Sequence, residues 1–266
     1  MDYVQNPADG IRIAYRVEGS GPAILMVHGT ALSQAIWRGF GYVRDLETEY
    51  TTITLDLRGH GRSDKPHERA AYSAESMVSD VLTVLDEVGV DRAHYLGYSL
   101  GGRVGFSLAA THPERMLSFV SAGGSPRIAR DSFDRVFFPG CIEVLETGGM
   151  GGFIDAWERS GATLDASTRA AFNANDALAL AAYMRESRED PGVADAALAG
   201  IRLPTLLLVG SNDGSALRAA RATLPVMPNA RLQVLDGATH GGTLRHPAAR
   251  PAVRAFFAGT PLPLVE

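Results

Sequence analysis

Among 266 residues there is one cysteine, Cys141, and one lysine, Lys65. A lone cysteine excludes an internal disulfide framework and any multi-cysteine zinc site. Long apolar runs are missing too. Runs such as Ala23–Val27 and Leu206–Val209 are strand-sized, far short of the ~20 residues of a membrane span. The first residues, Met1-Asp2-Tyr3-Val4-Gln5-Asn6-Pro7, carry neither a basic stretch nor an apolar one, so no signal peptide is expected. With so little cysteine, the expected location is the cytoplasm. An excess of positive charge is also lacking. The formal charge is −5, which argues against a nucleic-acid partner. The near-exclusive use of arginine for basic positions accompanies heavy alanine usage and reads as composition bias. With 45% hydrophobic and 21% charged residues, the chain has the makings of an ordinary buried core, not of a disordered tail or a charge-stabilised fibre.

What is present is a rhythm. Ile11–Val17 alternates apolar and polar residues after Asp9-Gly10 and predicts a hairpin with Met1–Gln5. Ala23–Val27, Thr51–Leu57, Ala93–Tyr98, Leu117–Ala122, Thr205–Val209 and Ala230–Leu235 read as further strands, making eight. Helical stretches fall at Ser33–Glu47, Ser76–Val88, Leu100–Thr111, Ser215–Leu224 and Pro247–Phe257, with Gly89 capping the second. Strands alternating with helices of this length predict an α/β fold, a mostly parallel sheet flanked by helices. From Ser125 to Gly200 the rhythm stops. A structureless loop of that length is uncommon in a compact domain. Helical pieces at Asp131–Phe138, Ile142–Glu146, Phe153–Arg159 and Ala174–Glu186, interrupted at Gly148–Gly152, predict an inserted helical cap. The expected organisation is therefore a core of residues 1–124 and 201–266 and a cap of residues 125–200.

The strongest chemical signal is Gly97-Tyr98-Ser99-Leu100-Gly101, entered by a strand and left by a helix. A sharp strand-to-helix turn thrusts the serine hydroxyl out above the sheet, and the helix start aims free N–H groups toward it. A serine needs a base to become a nucleophile. Of seven histidines, His240 alone sits in a small-residue loop after a late strand, at the carboxyl edge where Ser99 emerges. His28 and His60 stand beside glycines, where shaping a loop is the plainer role. The imidazole needs an acid to fix its tautomer. Asp213 follows Thr205–Val209 and keeps the chain order serine, acid, histidine. Asp236 competes, and no acid follows Leu117–Ala122, which runs on as Gly123-Gly124-Ser125. A developing oxyanion needs two donors. The backbone N–H groups of Leu100 and Thr30 are the candidates, with Ala31 as the fallback for the second.

Five stretches together resemble the α/β-hydrolase superfamily: Val27-His28-Gly29-Thr30, Asp56-Leu57-Arg58-Gly59-His60-Gly61-Arg62-Ser63, Gly97-Tyr98-Ser99-Leu100-Gly101-Gly102, Val209-Gly210-Ser211-Asn212-Asp213 and Ala238-Thr239-His240-Gly241. The resemblance implies the α/β-hydrolase fold and a triad of Ser99, Asp213 and His240, with no cofactor and no metal. Serine at the elbow sets the chain apart from the epoxide hydrolases and haloalkane dehalogenases, which carry aspartate there. It fits esterases, lactonases and C–C bond hydrolases. The expected partner is a small-molecule ester or lactone. Arg103, after the second glycine, resembles the menaquinone-pathway synthase that eliminates pyruvate with the same three residues, which keeps a lyase reading open. A structural salt bridge is the plainer role for it. A ligand sensor on the same scaffold is a third reading. The cap is rich in large apolar side chains, including Phe133, Phe138, Phe153, Trp157 and Tyr183. Most of these should seal the cap, while some, Phe138 and Trp157 among the candidates, could face a pocket suited to an apolar substrate.

Overall fold

The computed structural model describes residues 1–259; positions 260–266 of the expected core segment lie outside the described residues. Eight strands form one sheet: β1 (Asp2–Gln5), β2 (Arg12–Gly19), β3 (Ala23–Val27), β4 (Thr51–Leu55), β5 (Ala93–Tyr98), β6 (Met116–Ala122), β7 (Thr205–Gly210) and β8 (Ala230–Leu235). Their spatial order is β1-β2-β4-β3-β5-β6-β7-β8. The β1–β2 and β2–β4 pairs are antiparallel, and every other pair is parallel. The expected α/β-hydrolase fold, a mostly parallel eight-stranded sheet flanked by helices, is what forms.

The central strands are buried on both faces, and the two-residue period of a strand divides their side chains between two cores. Leu25 and Val27 of β3 and Leu207 and Val209 of β7 enter one core. Ile24, Met26, Leu206 and Leu208 enter the other. The first core is covered by α3 (Ala74–Glu87) and α4 (Leu100–Thr111). The second is covered by α1 (Ala35–Gly39), α2 (Tyr42–Leu46) and α11 (Ala249–Phe257). In α3 the apolar residues Met77, Val81, Val84 and Leu85 recur at helical spacing and are all buried. The Ser73 hydroxyl caps its start by accepting the Ser76 N–H at 3.0 Å.

Three local expectations are corrected. The helix expected over Ser33–Glu47 is two short helices, α1 and α2, broken where Gly41 adopts φ +81°. A residue in that left-handed conformation cannot continue a right-handed helix. The strand expected over Thr51–Leu57 stops at Leu55; Asp56 N–H makes a last bond to Ala14 O, and its carboxylate accepts the backbone N–H groups of Gln34 and Arg62, where the chain turns away. Between β6 and β7 lie five helices: α5 (Ser132–Val136), α6 (Cys141–Arg159), α7 (Ala166–Asn173), α8 (Ala177–Glu189) and α9 (Asp195–Gly200). The two pieces expected around Gly148–Gly152 are one element, α6, kinked at Gly149. The helices α7 and α9 had no counterpart in the sequence reading. The remaining short helix of the core, α10 (Gly214–Thr223), follows β7.

The Asp56–Ser63 stretch is architectural. Arg58 is fully buried and pairs through Nε and Nη2 with both oxygens of Asp80 at 2.7 Å, while Nη1 donates to Asp9 and to the Ala71 carbonyl. With its fork fully used, the guanidinium is satisfied where an unpaired buried charge would be costly.

Candidate active site

The sequence folds into a strained corner at Ser99. This residue sits between β5 and α4 with φ +52° and ψ −109°, a conformation that costs a residue with a Cβ about 1–3 kcal/mol. The neighbours leave no room for side chains. A Cβ at Gly97 would lie 2.3 Å from the Gly101 carbonyl oxygen, and one at Gly101 would lie 2.1 Å from that of Val27. Hydrogen bonds from Ser99 N–H to Ala122 O (2.9 Å) and from Gly101 N–H to His28 O (3.0 Å) tie the corner to the loops on either side.

His240 reaches this corner from the loop after β8. Its Nε2 lies 3.0 Å from Ser99 Oγ, and its Nδ1 lies 2.5 Å from Asp213 Oδ2. A carboxylate only accepts, so the bond to Asp213 puts the ring proton on Nδ1 and turns the Nε2 lone pair toward the serine hydroxyl. Asp213 is buried and caps α10, its Oδ1 accepting the Ala216 N–H. The acid and histidine loops are latched together. Asn212 N–H donates to Ala238 O, Asn212 Nδ2 to Gly237 O, and Gly237 N–H to Ser211 Oγ. Asp236, the competing acid, is exposed and accepts only from the Ser211 hydroxyl, at 3.4 Å. After β6, where an acid could have stood, Gly123 is left-handed at φ +65°. A Cβ at Gly123 would lie 3.4 Å from His240.

The loop after β3 lies against the serine. A Cβ at Gly29 would come within 3.1 Å of Ser99 Cβ and 2.9 Å of the Tyr98 ring. Thr30 and Ala31 form the middle of a turn closed by Leu32 N–H to Gly29 O at 3.2 Å, and Ala31 is left-handed at φ +59°. Among the described residues, neither Thr30 nor Ala31 directs its N–H to a backbone carbonyl. Leu100, as first residue of its helix, has no intrahelical acceptor. Free N–H groups thus stand on two sides of Ser99.

His28 and His60 shape this neighbourhood from beneath. His28 is fully buried, with Nδ1 donating to Gly29 O at 2.8 Å and Nε2 accepting the Leu57 N–H at 3.1 Å. Burial lowers its pKa to about 4, and the same cause, aided by His28, lowers that of His60 to about 3. Both rings are neutral near pH 7.

Helices between β6 and β7 supply two contacts to the loop that sequence reasoning did not foresee. The Tyr183 hydroxyl lies 3.2 Å from Thr30 Oγ1, and Asn175 Nδ2 donates to Ala31 O at 2.9 Å. No local pattern marks such pairs, which are separated by 153 and 144 residues. Tyr183 was legible only as one of many aromatics. Phe138 packs on Phe153, while Trp157 packs on Phe137 and Phe172 at ring separations of 5.0 Å. Both belong to an aromatic cluster in these helices. Arg103 is buried one turn into α4. Its Nη2 pairs with Asp190 at 2.7 Å, and its Nη1 has no partner. A cavity of about 690 Å³ opens elsewhere, between α3, α4 and the chain around 190–197, with none of the three triad residues in its wall.

A hydroxyl, an imidazole and a carboxylate in one hydrogen-bonded line, beside free N–H groups at a helix start, can perform nucleophilic acyl chemistry. Comparison with known proteins supports a hydrolase. Residues 22–147 match the family described as alpha/beta hydrolase fold, and the sheet order and flanking helices of the chain are those of an α/β-hydrolase fold. An enol-lactonase from Burkholderia xenovorans LB400 superimposes with a TM-score of 0.83 at 25% identity, covering 97% of this chain and 100% of that one. A pimeloyl-[acyl-carrier protein] methyl ester esterase from Aeromonas hydrophila is 27% identical over 91% of this chain and 97% of its own length. An uncharacterized protein from Mycobacterium tuberculosis is 40% identical over 117 residues, which are 43% of this chain. The matched stretch spans about a third of that relative's length, 33%. Among the described residues, no helix is long and apolar enough to cross a membrane.

Proposed function

We propose that the chain is a serine hydrolase of carboxylic esters or lactones. The observation that carries this reading is the line Ser99 Oγ–His240 Nε2–Asp213 Oδ2, with spacings of 3.0 and 2.5 Å. His240 takes the hydroxyl proton as Ser99 Oγ attacks the carbonyl carbon. Asp213 holds the ring in the Nδ1–H tautomer and stabilises the imidazolium. The carbonyl oxygen becomes an oxyanion, held by the N–H groups of Leu100 and Thr30, with Ala31 adjoining. His240 then gives its proton to the leaving alkoxide. A water, activated by the same imidazole, releases the acid from the acyl-enzyme.

Residues 125–200 serve in this reading as a cap over the site. Its aromatic cluster, with Phe138 and Trp157, supports a small to medium, largely apolar substrate. An esterase and a lactonase among the similar proteins support the bond type.

The test is labelling with a fluorophosphonate followed by mass spectrometry, together with turnover of p-nitrophenyl acetate, p-nitrophenyl butyrate and a lactone panel. Wild type is expected to carry the phosphonate on Ser99 and to turn over the esters, while Ser99→Ala does neither. Equal ester turnover by the two proteins sinks the mechanism. A base-only lyase or C–C hydrolase would instead give weak ester turnover and no acyl-enzyme mass.

A further inference from the structure

We propose that Asn175 is a positioning residue that holds the Thr30–Ala31 turn in the conformation its N–H groups need to receive an oxyanion. The inference rests on the reading of Ser99 as nucleophile. The turn has an unusual composition for its shape. Ala31 is one of two non-glycine residues with positive φ among the described residues, the other being Ser99 itself. Alanine has no side-chain hydrogen bond with which to hold a left-handed conformation, and such strain persists where the surroundings over-determine it. Here the surroundings come from a part of the chain more than 140 residues away in sequence. Asn175, between α7 and α8, donates Nδ2 to Ala31 O at 2.9 Å. Tyr183, on α8, reaches Thr30 Oγ1 with its hydroxyl. Both central residues of the turn are therefore gripped by one helical pair, and Ala31 is fully buried beneath it. The same amide of Asn175 also donates to Ala171 O and Phe172 O at the end of α7. One side chain thus closes a helix and fixes the turn.

The experiment compares tetrahedral with planar ligands. An aryl trifluoromethyl ketone adds Ser99 Oγ to its carbonyl carbon. The C–O bond forms, the hydroxyl proton passes to His240, and the carbonyl π pair becomes the oxyanion held by the loop. The matching methyl ketone resists addition and reports ground-state binding. In Asn175→Ala, kcat on p-nitrophenyl butyrate is expected to fall about 10- to 100-fold, less than loss of a direct donor, with KM within twofold. The inhibition constant of the trifluoromethyl ketone should rise by a similar factor and that of the methyl ketone should stay put. Asn175→Asp, which keeps the size but loses the donor, should behave like the alanine variant.

The decisive arm is Ala31→Gly in the Asn175→Ala background. Glycine adopts positive φ without the Cβ penalty, so at least half of the lost logarithm of kcat should return. A residue that merely capped α7 would gain nothing from a change at position 31. If Asn175→Ala leaves kcat intact, or if both ketones weaken together without rescue by Ala31→Gly, the inference is overturned while Ser99 labelling stands. If wild type takes no phosphonate on Ser99, the nucleophile reading fails and the inference falls with it.

Discussion

The Tyr98 ring lies over the His240 imidazole, with centroids 5.6 Å apart and planes at 29°, and its hydroxyl donates to the His240 carbonyl oxygen at 3.0 Å. The residue just before the proposed nucleophile therefore grips the proposed base through both ring and backbone. Burial raises the Tyr98 pKa well above its ordinary value, so the phenol remains a donor.

Tyr98→Phe keeps the stack and removes the hydrogen bond. A buried bond of this kind contributes about 0.5–1.5 kcal/mol, so thermal unfolding should shift by that amount. Ester kcat should fall about three- to tenfold as the histidine loop loosens. Tyr98→Leu, which removes the stack as well, should cost more in both measurements. Wild-type kcat in Tyr98→Leu would show that the grip is irrelevant to the base.

Asp213 and Asp236 should part sharply. Asp213→Asn preserves shape but lets the imidazole adopt the wrong tautomer, a change worth about 10⁴ in kcat in other triads. Asp236→Asn touches an exposed carboxylate with one weak contact, and its kcat should stay within twofold of wild type. Steady-state kinetics on p-nitrophenyl butyrate separates the two.

Acid should destabilise the fold through its buried histidines. His28 and His60 have pKa values of about 4 and about 3 in the folded protein, against about 6.5 when unfolded. Between those values the unfolded chain binds more protons, so stability is fully present above pH 6.5 and is lost as pH falls through that window. Each ring contributes a slope of up to about 1.4 kcal/mol per pH unit. Urea unfolding at pH 6.5 and pH 5 should show the loss, and His60→Gln should flatten the slope by about that amount. An unchanged slope in that variant would remove His60 from the acid response.

Arg103 can be assigned by separating stability from binding. Removing one partner of a buried ion pair leaves the other uncompensated. Asp190 retains some exposure, so Arg103→Met should cost about 1–3 kcal/mol on thermal unfolding. KM for neutral p-nitrophenyl butyrate is expected to stay within twofold. A KM that rises with stability unchanged would give the guanidinium to the substrate instead.

The core was legible because its signals are local. Ala23–Val27 and Thr205–Val209 are apolar runs of strand length, and they formed strands nearly as bounded. Gly97 and Gly101 flank Ser99 because their Cα atoms pass against backbone carbonyls, and that necessity is written into five consecutive residues. The stretch from Ser125 to Gly200 carries no comparable signal. Its short helices are held by aromatic packing and by ion pairs such as Arg185 with Glu143 and Glu146, which couple distant positions. For the same reason α7 went unread: its start is signalled only by Asp165 accepting the Thr168 N–H. Asn175 fell inside the helical piece expected over Ala174–Glu186, and its contact with Ala31 spans 144 residues that no local pattern links.

The chain leaves the sheet at β6 and returns at β7, and those strands are hydrogen-bonded neighbours. Val193 N–H donates to Pro126 O at 3.0 Å, and Arg127 pairs with Asp195, so the departing and returning chains are stitched together just above the sheet. The excursion is closed at its own base like a loop of thread knotted where it meets the cloth. A lineage can lengthen, shorten or exchange what lies beyond that knot without altering the register of a single strand. What such an exchange must keep is the pair of contacts that the excursion sends back to the loop after β3, from Asn175 to Ala31 and from Tyr183 to Thr30.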